Sequence, residues 1–415
     1  MRIILLTQYF PPEVGAPQNR LFAMAKGLRA KGAEVEVLTA MPNYPDMRIH
    51  AGYRGRWSMR QEMEGLRVHR VWLFVSKGRG LVARLMNYFS FVFTALAYGL
   101  FKLRKADVLL VESPPLFLGI TAMWLARAKG AKLVFNVSDL WPESAVQLGL
   151  VTNRFAIGLS ERLEMRCYRR SALITGQTMG IVDNIRSRCP DRTVLWIPNG
   201  VDIDLIERVG DGAGARARHG VPATAFVLAY TGIIGHAQGL EVVLNAAERL
   251  ADRPEVLFLL VGDGPERAGL REMAAANGLA NVRFIDPMPR GEVLALVAAC
   301  DGVVVPLRRN KLFEGAIPSK IFEALALGRP LLLGVEGEAR RLFVEEGQAG
   351  LAFAPEDAGA LEQAVRQYLD EPALRTAHGA NGARYVRERF DRRMITERLW
   401  NGLQDLFGAQ RPGDR

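Results

Sequence analysis

Short apolar runs alternate with amphipathic stretches along the whole chain. Residues 3–7 form an apolar run that ends at Gln8-Tyr9-Phe10-Pro11-Pro12. Leu21, Met24, Ala25 and Leu28 then recur at i, i+3, i+4 and i+7, the spacing of one helix face. Gly32 closes that helix, and residues 35–38 read as the next strand. The rhythm continues through apolar runs at 108–111, 133–137, 173–175 and 194–197, and starts again at 226–231, 256–261, 282–285 and 303–306. Strand–helix–strand repeats build parallel sheets covered by helices. With 415 residues, one core is too small for the chain. The pattern predicts an α/β protein of two Rossmann-like, doubly wound parallel-sheet domains facing across a cleft, where ligands bind outside the carboxyl ends of the strands. The expected domains are residues 1–205 and 206–389, with a helix at about 390–415 packing back on the first and a glycine-rich connection at 210–214.

Composition narrows the picture. Hydrophobic residues make up 49% of the chain, which excludes a disordered protein. Cys167, Cys189 and Cys300 are too far apart for a metal-ligand pattern and point to a reducing, cytoplasmic compartment. The apolar run at the N-terminus reads as a strand rather than a signal peptide. Residues 1–205 carry 28 Lys and Arg against 16 Asp and Glu, whereas residues 206–415 carry 26 against 28. The whole basic excess therefore lies in the first half. It suits an anionic partner there (a membrane surface, a diphosphate-linked acceptor or nucleic acid) or merely an arginine-rich surface. Residues 85–101, LMNYFSFVFTALAYGLF, sit between Lys77, Arg79 and Arg84 on one side and Lys102, Arg104 and Lys105 on the other. The run is shorter than a spanning helix needs and is interrupted by Asn87 and Ser90. It reads as a helix lying partly in an anionic lipid interface, as a covering helix of the first domain, or as both.

Three segments of the second half carry candidate chemistry. In Tyr230-Thr231-Gly232-Ile233-Ile234-Gly235 a strand leaves through a glycine-rich loop, where backbone N–H groups can approach a diphosphate. Gly262-Asp263-Gly264-Pro265 is a second such turn, equally well explained as purely structural. The third is Phe313-Glu314-Gly315-Ala316-Ile317-Pro318-Ser319-Lys320-Ile321-Phe322-Glu323. Pro318 suits the first helical position, which puts Ser319 and Lys320 in the first turn. A cation there opposes the helix dipole unless an anion is bound, so Lys320 reads as a phosphate ligand and Glu323, one turn on, as an acceptor for a ribose diol. The alternative is a surface ion pair between the two. In the first half, the loop from Phe10 to Arg20 brings Gly15 and Arg20 to a helix start suited to acceptor phosphate. Asp139 and Glu143 flank Trp141-Pro142 at the end of another strand, as an acceptor-hydroxyl and sugar-stacking set or as a capped turn with a buried indole.

Taken in order, these segments, with Asn136-Val137-Ser138-Asp139-Leu140-Trp141-Pro142-Glu143, Ile197-Pro198-Asn199-Gly200-Val201-Asp202 and Gly347-Gln348-Ala349-Gly350, resemble retaining glycosyltransferase family 4. Bacterial polysaccharide enzymes of the L-fucosamine transferase type are the nearest in pattern, and the resemblance covers nearly the whole chain. It implies the GT-B fold, a glycosyltransferase, and a nucleotide-sugar donor site in the C-terminal half, with Gly15 against the donor diphosphate and acceptor, Glu323 on the ribose and Asp139 in the active site. The family's phosphate-binding Arg and Lys would fall near Ile233 and Gln238, and its first motif glutamate on Gly315 beside Glu314. Lys320, or Arg308 or Arg309, is then the replacement cation. The implied reaction moves a sugar from a nucleoside diphosphate, UDP by analogy, to a polyprenyl-diphosphate-linked acceptor with retention. It takes place peripherally on the inner face of the plasma membrane, in cell-surface polysaccharide biosynthesis such as that of lipopolysaccharide. No cofactor, metal or nucleic acid is expected. A non-hydrolysing nucleotide-sugar 2-epimerase and a non-catalytic basic anion- or nucleic-acid-binding protein are the alternatives. The first needs acids and histidines clustered around a sugar, and the five histidines form no such pattern.

Overall fold

The computed structural model describes residues 1–408 except 14, 45–46, 77–79, 148–150, 210–211 and 213. Most of the glycine-rich stretch at 210–214, and Lys77 and Arg79, therefore lie outside the described residues. Two compact units divide the chain: Met1–Asn199 together with the segment from Arg392, and Gly200–Asp391.

The first unit contains β1 (Arg2–Leu6), α1 (Ala16–Ala30), β2 (Glu34–Ala40), β3 (Ser58–Met63), β4 (Leu66–Val71), α2 (Leu81–Lys102), β5 (Val108–Ser113) and α3 (Leu118–Lys129). It continues with β6 (Lys132–Val137), α4 (Glu143–Gln147), α5 (Arg154–Arg170), β7 (Leu173–Gly176), α6 (Met179–Arg188) and β8 (Val194–Trp196). The sheet order is β3-β4-β2-β1-β5-β6-β7-β8. Among the described residues only β3 and β4 pair antiparallel, through a tight turn in which Glu64 and Gly65 both have positive φ, as in a two-residue type I′ hairpin. Every residue of β5 is buried, the signature of a parallel strand covered on both faces. One face carries α2, α3, α5 and α6, through Phe91, Leu125, Tyr168 and Ile185 among others. The opposite face carries α1, through Leu21, Met24 and Leu28.

Helix α2 inverts the expected arrangement of its polar residues. Asn87 and Ser90 face inward rather than interrupting an outer surface. Gln8 Nε2 donates to Asn87 Oδ1 at 2.7 Å, Asn87 Nδ2 donates to Phe74 O at 2.6 Å, and Phe74 N donates to Ser90 Oγ at 2.8 Å. Val82, Met86, Phe93, Leu100 and Phe101 are left on the exposed side. No helix among the described residues is long and apolar enough to cross a membrane.

The second unit contains α7 (Ile203–Val209), α8 (Ala215–Arg218), β9 (Phe226–Thr231), α9 (Glu241–Arg249), β10 (Val256–Val261), α10 (Arg267–Ala276), β11 (Val282–Ile285) and α11 (Arg290–Ala298). There follow β12 (Gly302–Pro306), α12 (Lys320–Ala326), β13 (Leu331–Gly334), α13 (Glu338–Arg340), β14 (Gly350–Ala352), α14 (Ala358–Asp370) and α15 (Pro372–Arg389). All its strand pairs are parallel, in the order β11-β10-β9-β12-β13-β14. The chain then returns to the first unit as α16 (Arg392–Asp405), whose Ile395, Leu399 and Leu403 join the core under α1. In each sheet the winding direction reverses once, between β1 and β5 and between β9 and β12. Crevices outside the carboxyl ends of strands at such reversals bind ligands in open α/β folds.

Candidate active site

The candidate donor residues converge where the second sheet reverses. Strand β9 ends at Thr231 and turns through Gly232, whose φ is 125°. Beside it β10 ends in Gly262 and Gly264, with φ of 139° and 159°. A Cβ on Gly262 would lie 2.0 Å from Gly232 O, and one on Gly264 would lie 2.2 Å from Ile234 O. The two loops thus touch backbone to backbone, joined by Gly232 N to Val261 O at 2.9 Å and Ile234 N to Asp263 O at 2.9 Å. The Gly262–Gly264 turn is accordingly structural: it lets the neighbouring loop close. Gly235 has an ordinary extended backbone, and its N–H donates to Gln238 Oε1 at 3.2 Å.

Lys320 reaches this loop from α12. Its ammonium lies 3.5 Å from the centroid of the Tyr230 ring and would meet a Cβ placed on Gly232 at 3.4 Å. Tyr230 is fixed by its hydroxyl, which donates to Ile233 O at 2.5 Å. Among the described residues no carboxylate pairs with Lys320 and no acceptor takes a hydrogen bond from it. The residue as a whole is half-buried, but desolvation holds its ammonium down to about 7. A cation–π contact contributes about 0.5–2 kcal/mol, too little to offset that desolvation. An unmatched cation placed in this way is complementary to an anion. Pro318 precedes the helix rather than entering it: Ser319 is the capping residue, without a side-chain cap, and Lys320 is the first helical residue. The Pro318 carbonyl accepts the first turn's hydrogen bond from Ile321 N at 3.1 Å.

Glu323 does not pair with Lys320. Its Oε1 accepts from Arg290 Nε at 3.0 Å and Arg290 Nη2 at 2.5 Å, while Oε2 has no partner among the described residues. Arg290 opens α11 and anchors the carboxylate, leaving one oxygen free to accept. Arg308 is already engaged: it donates to Glu241 at 2.7 Å, Glu356 at 3.1 Å and His236 O at 2.7 Å. Arg309 Nη2 donates to Pro355 O at 3.2 Å. The expectation of a free cation is thus corrected for Arg308, which two carboxylates neutralise, whereas the exposed Arg309 has no carboxylate partner for its guanidinium among the described residues. Ile233 is exposed and Glu314 lies exposed on a 3₁₀ turn.

In the first unit, Gly15 caps α1 with φ 171°, a torsion any residue adopts. What the glycine provides is space at a helix start that has no side-chain cap and no acidic residue in its first turn. The loop before it is held by Glu13, which accepts from Asn43 N at 2.7 Å and Tyr44 N at 2.9 Å, and whose pKa burial raises. Arg70 is fully buried and donates to Ala40 O at 3.2 Å and to Pro11 O. Arg20 is not presented to a ligand, contrary to the sequence expectation. It forms a buried ion pair with Glu112 at 2.5 Å and donates to Ser138 Oγ at 2.6 Å. Asn136 also donates to Glu112, and Thr175 donates to Asn136 at 2.5 Å, so the network ties together the ends of β5, β6 and β7. One residue further on, Asp139 accepts from the Ser144 hydroxyl, and desolvation raises its pKa. Trp141 is half-buried, edge-on to Phe117 at 6.0 Å. Glu143 is exposed and accepts from Gln147 at 3.1 Å.

His69 contacts Tyr98 at 3.1 Å and His378 contacts Tyr368 at 2.9 Å; these are packing contacts and not part of a sugar site. Among the described residues no group of three or more His, Cys, Asp or Glu is placed to hold a metal.

Residues 15–200 match the glycosyl transferase 4-like domain, and residues 214–385 match the glycosyl transferases group 1 family. The chain belongs to glycosyltransferase family 4. This family 4 glycosyltransferase has the GT-B fold. It is 27% identical over 415 residues to WcaI of Escherichia coli (strain K12), named as a glycosyl transferase of colanic acid biosynthesis; the match spans 97% of this chain and 100% of that protein. Among solved structures, sucrose-phosphate synthase from Thermosynechococcus elongatus superposes with a TM-score of 0.76 at 20% identity, over 99% of this chain and 100% of the other. Anabaena HepE in complex with UDP and glucose gives 0.71 at 20% identity, over 97% and 99%.

Proposed function

We propose that this glycosyltransferase takes its sugar from a nucleoside diphosphate, UDP in the first instance, and transfers it with retention of configuration. The acceptor is a hydroxyl of a polyprenyl-diphosphate-linked saccharide at the cytoplasmic face of the membrane, in cell-surface polysaccharide biosynthesis. The observation that carries this reading is the unpaired Lys320 ammonium over Tyr230, beside Gly232 at the point where the sheet reverses. A diphosphate is the anion that fits: it stabilises the cation where burial opposes it, and Glu323 Oε2 is left to accept from a ribose diol. Gly232 and Gly235 then line the phosphates, with Pro318 and Ser319 setting the entry to α12. Stabilisation of the departing diphosphate by Lys320 would be the main catalytic contribution, because charge develops there in the transition state.

On the acceptor side, Gly15 keeps the start of α1 open, and Asp139 stands two residues beyond the end of β6. Trp141 and Glu143 follow it as sugar contacts. Arg20 and Arg308 act through carboxylates and not on substrate. The two printed names support the substrate classes: WcaI is named for colanic acid biosynthesis, and HepE was solved with UDP and glucose. The outward apolar face of α2, with Lys102, Arg104 and Lys105 exposed after it, supports a peripheral membrane position.

The test is transfer from radiolabelled UDP-sugars into a solvent-extractable lipid-linked product, in wild type and in Lys320→Ala and Glu323→Gln variants. The reading predicts label in lipid with stoichiometric UDP release, lost in the lysine variant. Transfer that survives Lys320→Ala at the wild-type rate would contradict it.

A further inference from the structure

A large cavity lies wholly within the first unit, beginning at Pro142 and Glu143 beyond the end of β6. Its volume is about 1470 Å³, and it runs between α4, α5 and α6. Five arginines line it against three glutamates. Arg188 is matched, since it pairs with Glu164, which also accepts from Tyr168 at 2.8 Å. Arg162, Arg166, Arg169 and Arg170 are exposed, and among the described residues none has an ion pair or hydrogen bond. Only Glu143 and Glu161 oppose them. Val146, Ile157 and Met165 give the same cavity an apolar lining. Cationic walls over apolar ground suit an amphiphile that carries a phosphate.

The surroundings extend that chemistry. Helices α2, α3 and α5 lie side by side on one face of the sheet. Their outer surfaces expose Phe93, Phe101, Trp124, Phe155 and Leu159, the last two on α5 itself at 79% and 57%. An exposed apolar face flanked by arginines that outnumber the acids beside them is complementary to an anionic bilayer.

We propose that the α4–α5–α6 groove binds the phosphate headgroups of anionic phospholipids, with Arg162, Arg166, Arg169 and Arg170 as the phosphate ligands and Phe155 and Leu159 entering the interface beside them. The inference rests on the membrane part of the reading above and adds a second determinant on α5, separate from the basic end of α2. Arginine suits the role because its planar fork holds phosphate oxygens in pairs.

The experiment is vesicle flotation of the full chain with phosphatidylcholine alone and with added phosphatidylglycerol. It compares wild type, Arg162→Gln/Arg166→Gln/Arg169→Gln/Arg170→Gln, and Lys102→Gln/Arg104→Gln/Lys105→Gln. Among the described residues the four groove side chains have no hydrogen-bond or ion-pair partner to lose, and circular dichroism checks the fold. Wild type is expected to float only with the anionic vesicles, and the groove variant to lose several hundred-fold in partition, at roughly fivefold per arginine. A groove variant that floats like wild type would overturn the inference while leaving α2 as the membrane contact. Wild type that floats with neither vesicle, or equally with both, would overturn it along with the membrane reading. Loss of oligonucleotide binding with unchanged flotation would assign the arginines to nucleic acid instead.

Discussion

Binding of a nucleoside diphosphate should carry a proton onto the protein. Lys320 is held down to about 7 by desolvation, with no counter-ion among the described residues. At pH 8 an amine with that pKa is about nine-tenths neutral, at pH 7 about half, and at pH 6 about one-tenth. A diphosphate at hydrogen-bond distance restores the charged form, so binding takes up about 0.9 proton at pH 8, about 0.5 at pH 7 and about 0.1 at pH 6. Affinity should accordingly fall by about tenfold, or 1.4 kcal/mol, per pH unit above 7. The ligand's terminal phosphate, with its second pKa near 6, is almost fully ionised at pH 8 and adds little to the uptake there. Calorimetric titration of UDP at pH 8 in buffers of different ionisation enthalpy measures the uptake directly. Lys320→Arg supplies the control, because a guanidinium stays charged throughout: its uptake should vanish and its affinity should lose the pH slope. Wild-type uptake below about 0.2 proton at pH 8, or an equal uptake in Lys320→Arg, would refute the reasoning.

Three further outcomes follow from the same contacts. Because the folded state binds fewer protons at Lys320 than the unfolded chain between about pH 7 and 10.4, the lysine costs stability below that window and progressively less as pH rises through it. Lys320→Met should therefore stabilise the enzyme at pH 6.5 by about 1–3 kcal/mol, well below the upper bound of about 5 because the residue is half-buried, and show little gain at pH 10.5; equal denaturation midpoints at pH 6.5 would count against the desolvated ammonium. Arg290→Ala frees Glu323 without removing it, so donor KM should rise by about 3–10-fold, against about 10–100-fold for Glu323→Ala, with kcat changed less in both; steady-state kinetics showing a kcat effect alone would exclude a ribose contact. Gly262→Ala should destabilise the second unit by several kcal/mol, because its φ is 139° and the new Cβ meets Gly232 O at 2.0 Å, whereas Gly15→Ala should leave the fold intact and lower transfer; equal denaturation midpoints for the two would remove the distinction between a glycine needed for torsion and one needed for space.

The buried strands were the easiest features to read. Runs such as Val256–Val261 are wholly apolar because both faces of a parallel strand are covered. The β3–β4 hairpin escaped notice because the exposed positions of β3 alternate with only half-buried ones, so no apolar period marks it. Its signal was the Glu64-Gly65 pair, which takes positive φ at both positions. At the site, Lys320 was legible because a cation at a helix start needs an explanation. Arg290 was not: it lies 33 residues before Glu323, and only the packing of α11 against α12 brings it there. Arg20 and Arg308 were misread for the same reason. Their carboxylates, Glu112 and Glu241, are 92 and 67 residues away, and nothing in the local pattern announces a partner so remote. Glu13 gives no local sign that it holds its loop to Asn43 and Tyr44, although it is the only acid in the sequence between β1 and α1.

The account stands on a lysine that waits for a diphosphate. Its most direct test is a crystal structure of the enzyme with UDP bound. The predicted result is Lys320 Nζ about 2.7–2.9 Å from a phosphate oxygen, with Glu323 Oε2 accepting from the ribose hydroxyls while Oε1 stays on Arg290. Nucleotide bound elsewhere, with Lys320 still over Tyr230 and no anion beside it, would contradict the account.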